Sequence, residues 1–318
     1  MAKSITTLAE LQKSAQTYQK ELLIMPMLSA QDTLRHMSGR PGTRGKRTVG
    51  ELSGDVELAP WKNDRKAQGD FKITPRTLET FLGNCAYEFA PNDIWDTVHG
   101  SLQVMGQPVK DTEVAKAILF YAAGRLGKKL NMSIWNAERQ DDGNTTAALF
   151  DGFDTIAAKE IAAGNISEEK GNFLHISAGI SAENAVDQLK NIYNSASDEL
   201  QNAHTKLFLP RSIYNMYCED YKATTGAAAY NTEFKKTFLE GTDDLCELVP
   251  LASKKGSNFI QLTPQTNMLY GYGNGLAEES VAVEKYGPWM LTLEAAMYFG
   301  VQYESISPER LMVAKIGQ

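Results

Sequence analysis

Long hydrophobic runs are missing from this 318-residue chain, and with them one class of function. No apolar stretch approaches the roughly 20 residues that a membrane-spanning helix needs. The opening MAKSITTLAELQKSAQ has no continuous apolar segment, so no secretory signal is expected there. Cysteine is scarce: Cys85, Cys218 and Cys246 are odd in number and lack metal-like spacing. That predicts reduced, partly buried thiols rather than a disulfide framework or a zinc site. The four histidines, His36, His99, His175 and His204, are well separated, and none forms an HxxxH or HExxH pair.

Catalytic signatures are missing too. GRPGTRGKR at 39–47 has a Gly-Lys step in a glycine-rich turn. However, Arg40 stands where the first phosphate-loop glycine belongs, and Arg47 stands where Ser or Thr should follow Lys46. YGYGNG at 270–275 has glycines on alternate positions, which is a turn rather than a dinucleotide fingerprint. Asp141, Asp142, Asp151 and Asp154 could pair as acid and base, but in a DDGN turn they read as solvated carboxylates. No GxSxG elbow occurs, and no cysteine stands in a catalytic context. No enzyme, cofactor or metal site is expected.

What is present is an ordinary globular composition, 42% hydrophobic and 22% charged, with charge divided unevenly. Residues 1–73 hold 12 Lys/Arg against 8 Asp/Glu, whereas the rest of the chain is acidic enough to bring the total to −7. A basic arm on an acidic body suits head-to-tail packing of identical subunits. With about four excess charges in the arm, the counterion-release term favouring nucleic acid is small. Residues 25–70 are rich in Gly, Pro, Arg and Lys with thinly scattered apolar side chains. A segment that long needs a function or another surface to pack on. We read it as an arm and a projecting hairpin that find their partners on neighbouring subunits.

Patterning supplies the elements. Thr7 and Glu10 fit a capping box that opens an amphipathic helix to about Leu22, broken by Pro26. Residues 49–58 and 71–73 read as the arms of a β-hairpin, with Trp61 at the base of its charged tip. An isolated hairpin is marginal in water, so Trp61 is a natural anchor on another surface. Extended chain follows to Phe89, then a short helix at 91–99. A strut helix from Asp111 to about Trp135 has Val114, Ile118, Tyr121, Ala122, Leu126, Leu130 and Ile134 as its inner face. Beyond a turn at 141–146, a helix at 182–201 and strands at 206–209, 245–251, 259–262, 268–272, 281–285, 290–302 and 310–316 give a mixed second half. A helix at 212–221 lies among these strands, and a Lys254-Lys255-Gly256 turn joins two of them.

That order of elements resembles the major capsid proteins of tailed bacteriophages, with the Hong Kong 97-type fold. AKAILFYAAGRLGKKLNMSIWN followed by DGNT resembles the family's spine helix and its glycine loop, KLFLPRSIYNMY its strand-Pro-helix signature, and WMLTLEAAMYFGVQYESISPERLMVAKI its closing strands. The resemblance implies an α+β chain divided into an N-terminal arm (1–36), an extended loop (37–75), a peripheral domain (76–150 and 286–318) and an axial domain (151–285). It implies hexamers and pentamers closing an icosahedral shell around double-stranded DNA, which is contacted without sequence specificity. Portal and decoration proteins are further expected partners. Only a short arm precedes the extended loop, which implies a separate scaffold protein or a processed form. Assembly in the host cytoplasm and residence in the virion follow. On this reading Leu8, Leu11 and Leu22 bury the arm helix against another subunit. Arg40, Arg44, Lys46 and Arg47 pair with a neighbour's acids, and Trp61, Lys62, Arg65 and Lys66 form the docking tip. An encapsulin-like nanocompartment shell is the alternative within the fold. A soluble enzyme or ligand-binding protein with an inserted arm is the alternative outside it.

Overall fold

The computed structural model describes residues 8–55, 58, 60–63, 70–89, 111–225, 237–285, 287 and 290–317. Two sheets and a long helix organise them. The first sheet is built on β10 (Leu291–Tyr303) and β3 (Asp70–Phe89), and its order is β1-β8-β10-β3-β2, with β9 also on β10. The 20-residue β3 serves two partners in turn. Its first half pairs with β2 (Gly45–Asp55) as the hairpin, from Asp55↔Asp70 to Gly45↔Thr80. Its second half pairs with β10, from Phe81↔Phe299 to Phe89↔Leu291. Where hairpin and sheet meet, β10 has Gly300, at which a Cβ would lie 2.0 Å from the Glu79 carbonyl oxygen. No side chain fits that approach.

β1 (Ser38–Pro41) lies parallel to β8 (Met268–Tyr272), and β9 (Ser280–Lys285) completes the sheet. The second sheet has the order β4-β11-β7-β5-β6, from β4 (Phe173–Ile176), β5 (Thr205–Pro210), β6 (Cys246–Leu251), β7 (Phe259–Thr263) and β11 (Met312–Ile316). The expected cut at 285/286 therefore does not follow the sheets: β8 and β9 join the first, while β11 returns to the second. The strands at 246–251 and 259–263 are not neighbours either, because β5 lies between them.

The helices show where local pattern and packing part company. α1 (Leu8–Thr17) and α2 (Gln19–Ser29) replace the single helix expected to stop before Pro26. The break falls at Tyr18 (φ −104°, ψ 14°), and Pro26 is buried inside α2. Pro26 forfeits one backbone bond but fits its neighbour: at Gly127 of the spine helix a Cβ would sit 2.4 Å from the Pro26 carbonyl oxygen and 2.6 Å from Ser29 Cβ. α3 (Gln31–Leu34) ends the arm. The spine helix α4 (Asp111–Asn136) has its expected bounds and, at 1.5 Å per residue, is about 39 Å long. Its inner face departs from the expected one at Tyr121: Leu119 is 1% exposed, while Tyr121 is 70% exposed. Leu130, Ile134 and Trp135 are buried as helical spacing requires. The helix expected at 182–201 is two, α6 (Ala185–Asn194) and α7 (Asp198–Asn202), because Ser197 caps the second by accepting from the Leu200 amide. α5 (Phe153–Ala162) and α8 (Arg211–Thr225) complete the set. The Thr7 cap and the 91–99 helix lie outside the described residues.

Three apolar cores result. The largest joins Trp135, Phe153, Phe208, Phe299, Tyr303 and Val313 across both sheets. A second lies between α6, α8 and the second sheet, around Leu189, Tyr217, Leu248 and Leu262. A third sits under the arm, with Ala15, Leu22, Leu119, Val283, Leu291 and Leu293.

Candidate functional site

The hairpin carries two unlike faces. Register places Leu52 opposite Ile73 and Gly50 opposite Pro75, so these four share one face of the ribbon. That face meets no core: Leu52 is 64% and Ile73 69% exposed. The other face holds Glu51 and Arg76 and is tied to the body. Glu51 accepts a hydrogen bond from Ser307 Oγ at 3.0 Å. Arg76 reaches Glu160 at 2.7 Å and the Gln302 side-chain oxygen at 3.1 Å. Glu160 also accepts from Asn165, and although burial opposes ionisation, the donors from Asn165 and Arg76 hold its carboxyl below the usual range. The hairpin is thus fixed at its root by a partly buried ion pair and presents aliphatic side chains to water. At the described edge of the tip, Trp61 is 89% exposed and donates only locally, to Asn63 Oδ1 at 3.0 Å.

The structure separates the other residues expected at subunit contacts. Leu22 is 2% exposed within its own chain, in the core shared with Leu119 and Val283. The arm expected to lie on another subunit has a seat on its own spine helix, where Leu22 is buried. Arg40, Arg44 and Lys46 also find acids in their own chain: Glu304 at 3.4 Å, Glu278 at 2.6 Å and Glu79 at 3.6 Å. Their acids come from the bend just after β10, the β8–β9 loop and β3, segments distant in sequence that the sheet brings close. Arg47 and Lys62 are exposed. The side chains of Leu8 and Leu11, and Arg65 and Lys66 altogether, lie outside the described residues.

Pattern reading gave no sign of the polar junction at the end of the spine helix. Lys254, expected in an open turn, is fully buried, with its ammonium 2.8 Å from Asp154 Oδ1 and 3.9 Å from the centroid of Trp135. Gln261 donates to the same carboxylate oxygen at 2.7 Å, and the Trp135 indole donates to Ser253, whose hydroxyl meets Thr33 of the arm at 2.7 Å. Burial lowers the Lys254 ammonium to about 8, against the pull of Asp154. Asp154, one of the carboxylates expected in solvent, is therefore a core counter-ion; Asp141 and Asp142 are exposed as expected. The one available hint was an amphipathic Lys beside an apolar strand, which is also how most surface turns read.

A second buried carboxylate shapes the YGYGNG turn. Glu279 accepts from the amides of Gly275, Leu276 and Tyr298 at 2.6, 3.1 and 3.0 Å. Gly273 is needed there because a Cβ would meet that carboxylate. His36 joins the arm to the second sheet, with Lys206 3.1 Å from Nδ1 and Arg35 donating to Nε2 at 3.0 Å. Burial, then the Lys206 charge, lowers the imidazole to about 4, with Glu247 opposing. Asp32, His36, Asn131, Arg211, Tyr214 and Glu247 line a cleft of about 400 Å³ beside it. Among the described residues no group of three His, Cys, Asp or Glu is placed to hold a metal, the cysteines are free thiols, and no helix is long and apolar enough to cross a membrane.

No family model and no curated protein matches the chain. Solved structures do. The satellite phage P4 procapsid protein superposes with a TM-score of 0.58 at 11% identity, over 91% of this chain and 97% of that one. The capsid of a gene-transfer-agent (GTA) particle gives 0.54 at 9%, over 90% of each chain. The capsid of Myoviridae phage XM1 gives 0.52 at 11%, over 90% and 91%. The α+β fold is the Hong Kong 97-type capsid fold, as the order of sequence elements had implied.

Proposed function

We propose that this chain is the major capsid protein of a tailed bacteriophage, forming hexamers and pentamers that close an icosahedral shell around double-stranded DNA. The observation that carries the reading is the agreement in fold over nine-tenths of both chains with the P4 procapsid protein and the XM1 capsid. The hairpin agrees with it. A ribbon fixed at Arg76 and Glu51 that points Leu52 and Ile73 into water is unfavourable in a lone subunit and favourable once another subunit covers it. Contacts between unlike surfaces of identical subunits close into rings when each is rotated about an axis, and curvature then closes the shell. On this reading the chain acts by assembling and not by catalysis. A scaffold protein, a portal and decoration proteins are its further partners, and it is made in the host cytoplasm and ends in the virion.

Electron microscopy of the full-length protein, with sedimentation velocity on the same sample, tests this. Shells, tubes or discrete pentamers and hexamers are expected. A monomer that persists when the scaffold protein is co-expressed would overturn the reading.

A further inference from the structure

Among the described residues, Arg40, Arg44 and Lys46 near the hairpin root pair with acids of their own chain, whereas Arg125, Lys128 and Lys129 of the spine helix do not. Asp111 and Glu113, in the first turn, are the only acids in α4, and the helix then runs to Asn136 with Lys116, Arg125, Lys128 and Lys129 as its charges. Arg125, Lys128 and Lys129 are exposed, together with Tyr121 and Met132, so the spacing 121, 125, 128/129, 132 marks one outward stripe. Among the described residues none of these three cations forms an ion pair, and the Arg125 guanidinium instead lies 5.9 Å over the Tyr121 ring. The stripe lies beside the close-packed row that seats the arm, where Gly127 meets Pro26 and Gly124 meets Ser29.

A face that merely keeps a protein soluble mixes both signs. A contact between subunits pairs a patch of one sign with a patch of the other, so the competing partner is an acidic face of a second copy, which the test below separates. A single-signed stripe on a chain of net charge −7 suits a uniformly charged partner that needs no register. We infer that the Arg125–Lys128–Lys129 stripe of the spine helix is a sequence-independent contact for the phosphate backbone of double-stranded DNA. The choice of DNA as the polyanion rests on the capsid reading. Each copy contributes few charges, so a single subunit binds weakly and repetition around a shell supplies the avidity. The rest of the chain, being acidic, keeps the polymer from adhering elsewhere.

The test is fluorescence anisotropy of a mixed-sequence 20-base-pair duplex titrated with full-length protein, both unassembled and assembled, between 50 and 200 mM salt. Three phosphate contacts predict a slope of about −2.7 in log K against log salt, or roughly a 40-fold loss across that range. R125Q/K128Q/K129Q is expected to flatten the slope and lose at least about tenfold in affinity at 50 mM salt, whereas R44Q/K46Q, which removes internally paired cations, changes neither. Circular dichroism of each variant verifies its fold. No binding by the wild-type chain at 50 mM salt, an unchanged slope in the stripe variant, or an equal loss in R44Q/K46Q would each overturn the assignment. Loss of assembly in the stripe variant with DNA binding intact would overturn it too, in favour of an acidic protein partner. Electron microscopy of the same proteins with the scaffold protein co-expressed separates the two ideas: shells without stripe-dependent binding sink only the DNA contact, and stripe-dependent binding without shells sinks only the capsid reading.

Discussion

In the hairpin, Leu52 and Ile73 are aliphatic and stand in water; at the end of the spine helix, Lys254 and Asp154 are charged and stand out of it. Both placements are costly for an isolated subunit, and they are made good in opposite ways. The junction is made within one chain: ammonium, carboxylate, amide and indole close on one another between the arm, α4, α5 and the second sheet. The hairpin is complete only at its root, where Arg76 meets Glu160. The difference teaches where this chain keeps its stability and where it keeps its capacity to assemble. A buried pair specifies one packing of the subunit, while an exposed aliphatic ribbon leaves its free energy to be realised in a contact with another molecule.

The comparison can be broken most sharply at the junction. Asp154→Ala strands a buried ammonium and is expected to cost about 3–5 kcal/mol in denaturant unfolding. The double variant Asp154→Ala/Lys254→Met should recover most of that loss, since it removes both charges. A cost below about 1 kcal/mol for the single change would show that the pair does not hold the junction. Acid should act next, at the contact of arm and second sheet. His36 is lowered from 6.5 to about 4, so as pH falls the unfolded chain takes up the proton first. Stability is therefore full above pH 6.5 and falls until about pH 4, by roughly 3 kcal/mol at most. Unfolding curves of wild type and His36→Gln across that window check this, because the variant should lose less.

Smaller effects sharpen the other side. Gly127→Val forces a side chain into the Pro26 backbone and should cost about 1–3 kcal/mol, with hydrogen exchange rising in α1 and α2 first. Leu52→Asp with Ile73→Asp should leave the melting temperature of the subunit almost unchanged, within about 0.5 kcal/mol. The same pair should abolish the large species in sedimentation velocity. If instead it lowers subunit stability by more than about 2 kcal/mol, that face is covered within the chain and the contrast fails.

Much of the architecture was legible in the spacing of residues. The spine helix is written in its apolar recurrence and its polar flanks, and the hairpin in the change from glycine-rich turn to alternating strand. What escaped had a common cause. Pro26 inside α2 depends on Gly127, 101 positions away, leaving room for it. Tyr121 and Leu119 are both acceptable on an inner face, and only the line along which the arm lies chooses Leu119. Arg40, Arg44 and Lys46 read as free cations because Glu304, Glu278 and Glu79 come beside them through the first sheet.

The sequence by itself determined most of the elements, their order and the absence of catalytic or membrane-spanning motifs, because helical and strand periodicity and turn chemistry are local properties of neighbouring residues. Tertiary structure alone decided which charges are neutralised, which aliphatic side chains remain in water and which strands share a sheet. Those outcomes depend on distances between residues far apart in the chain, and a charge's cost or benefit is set by what stands within a few ångströms of it.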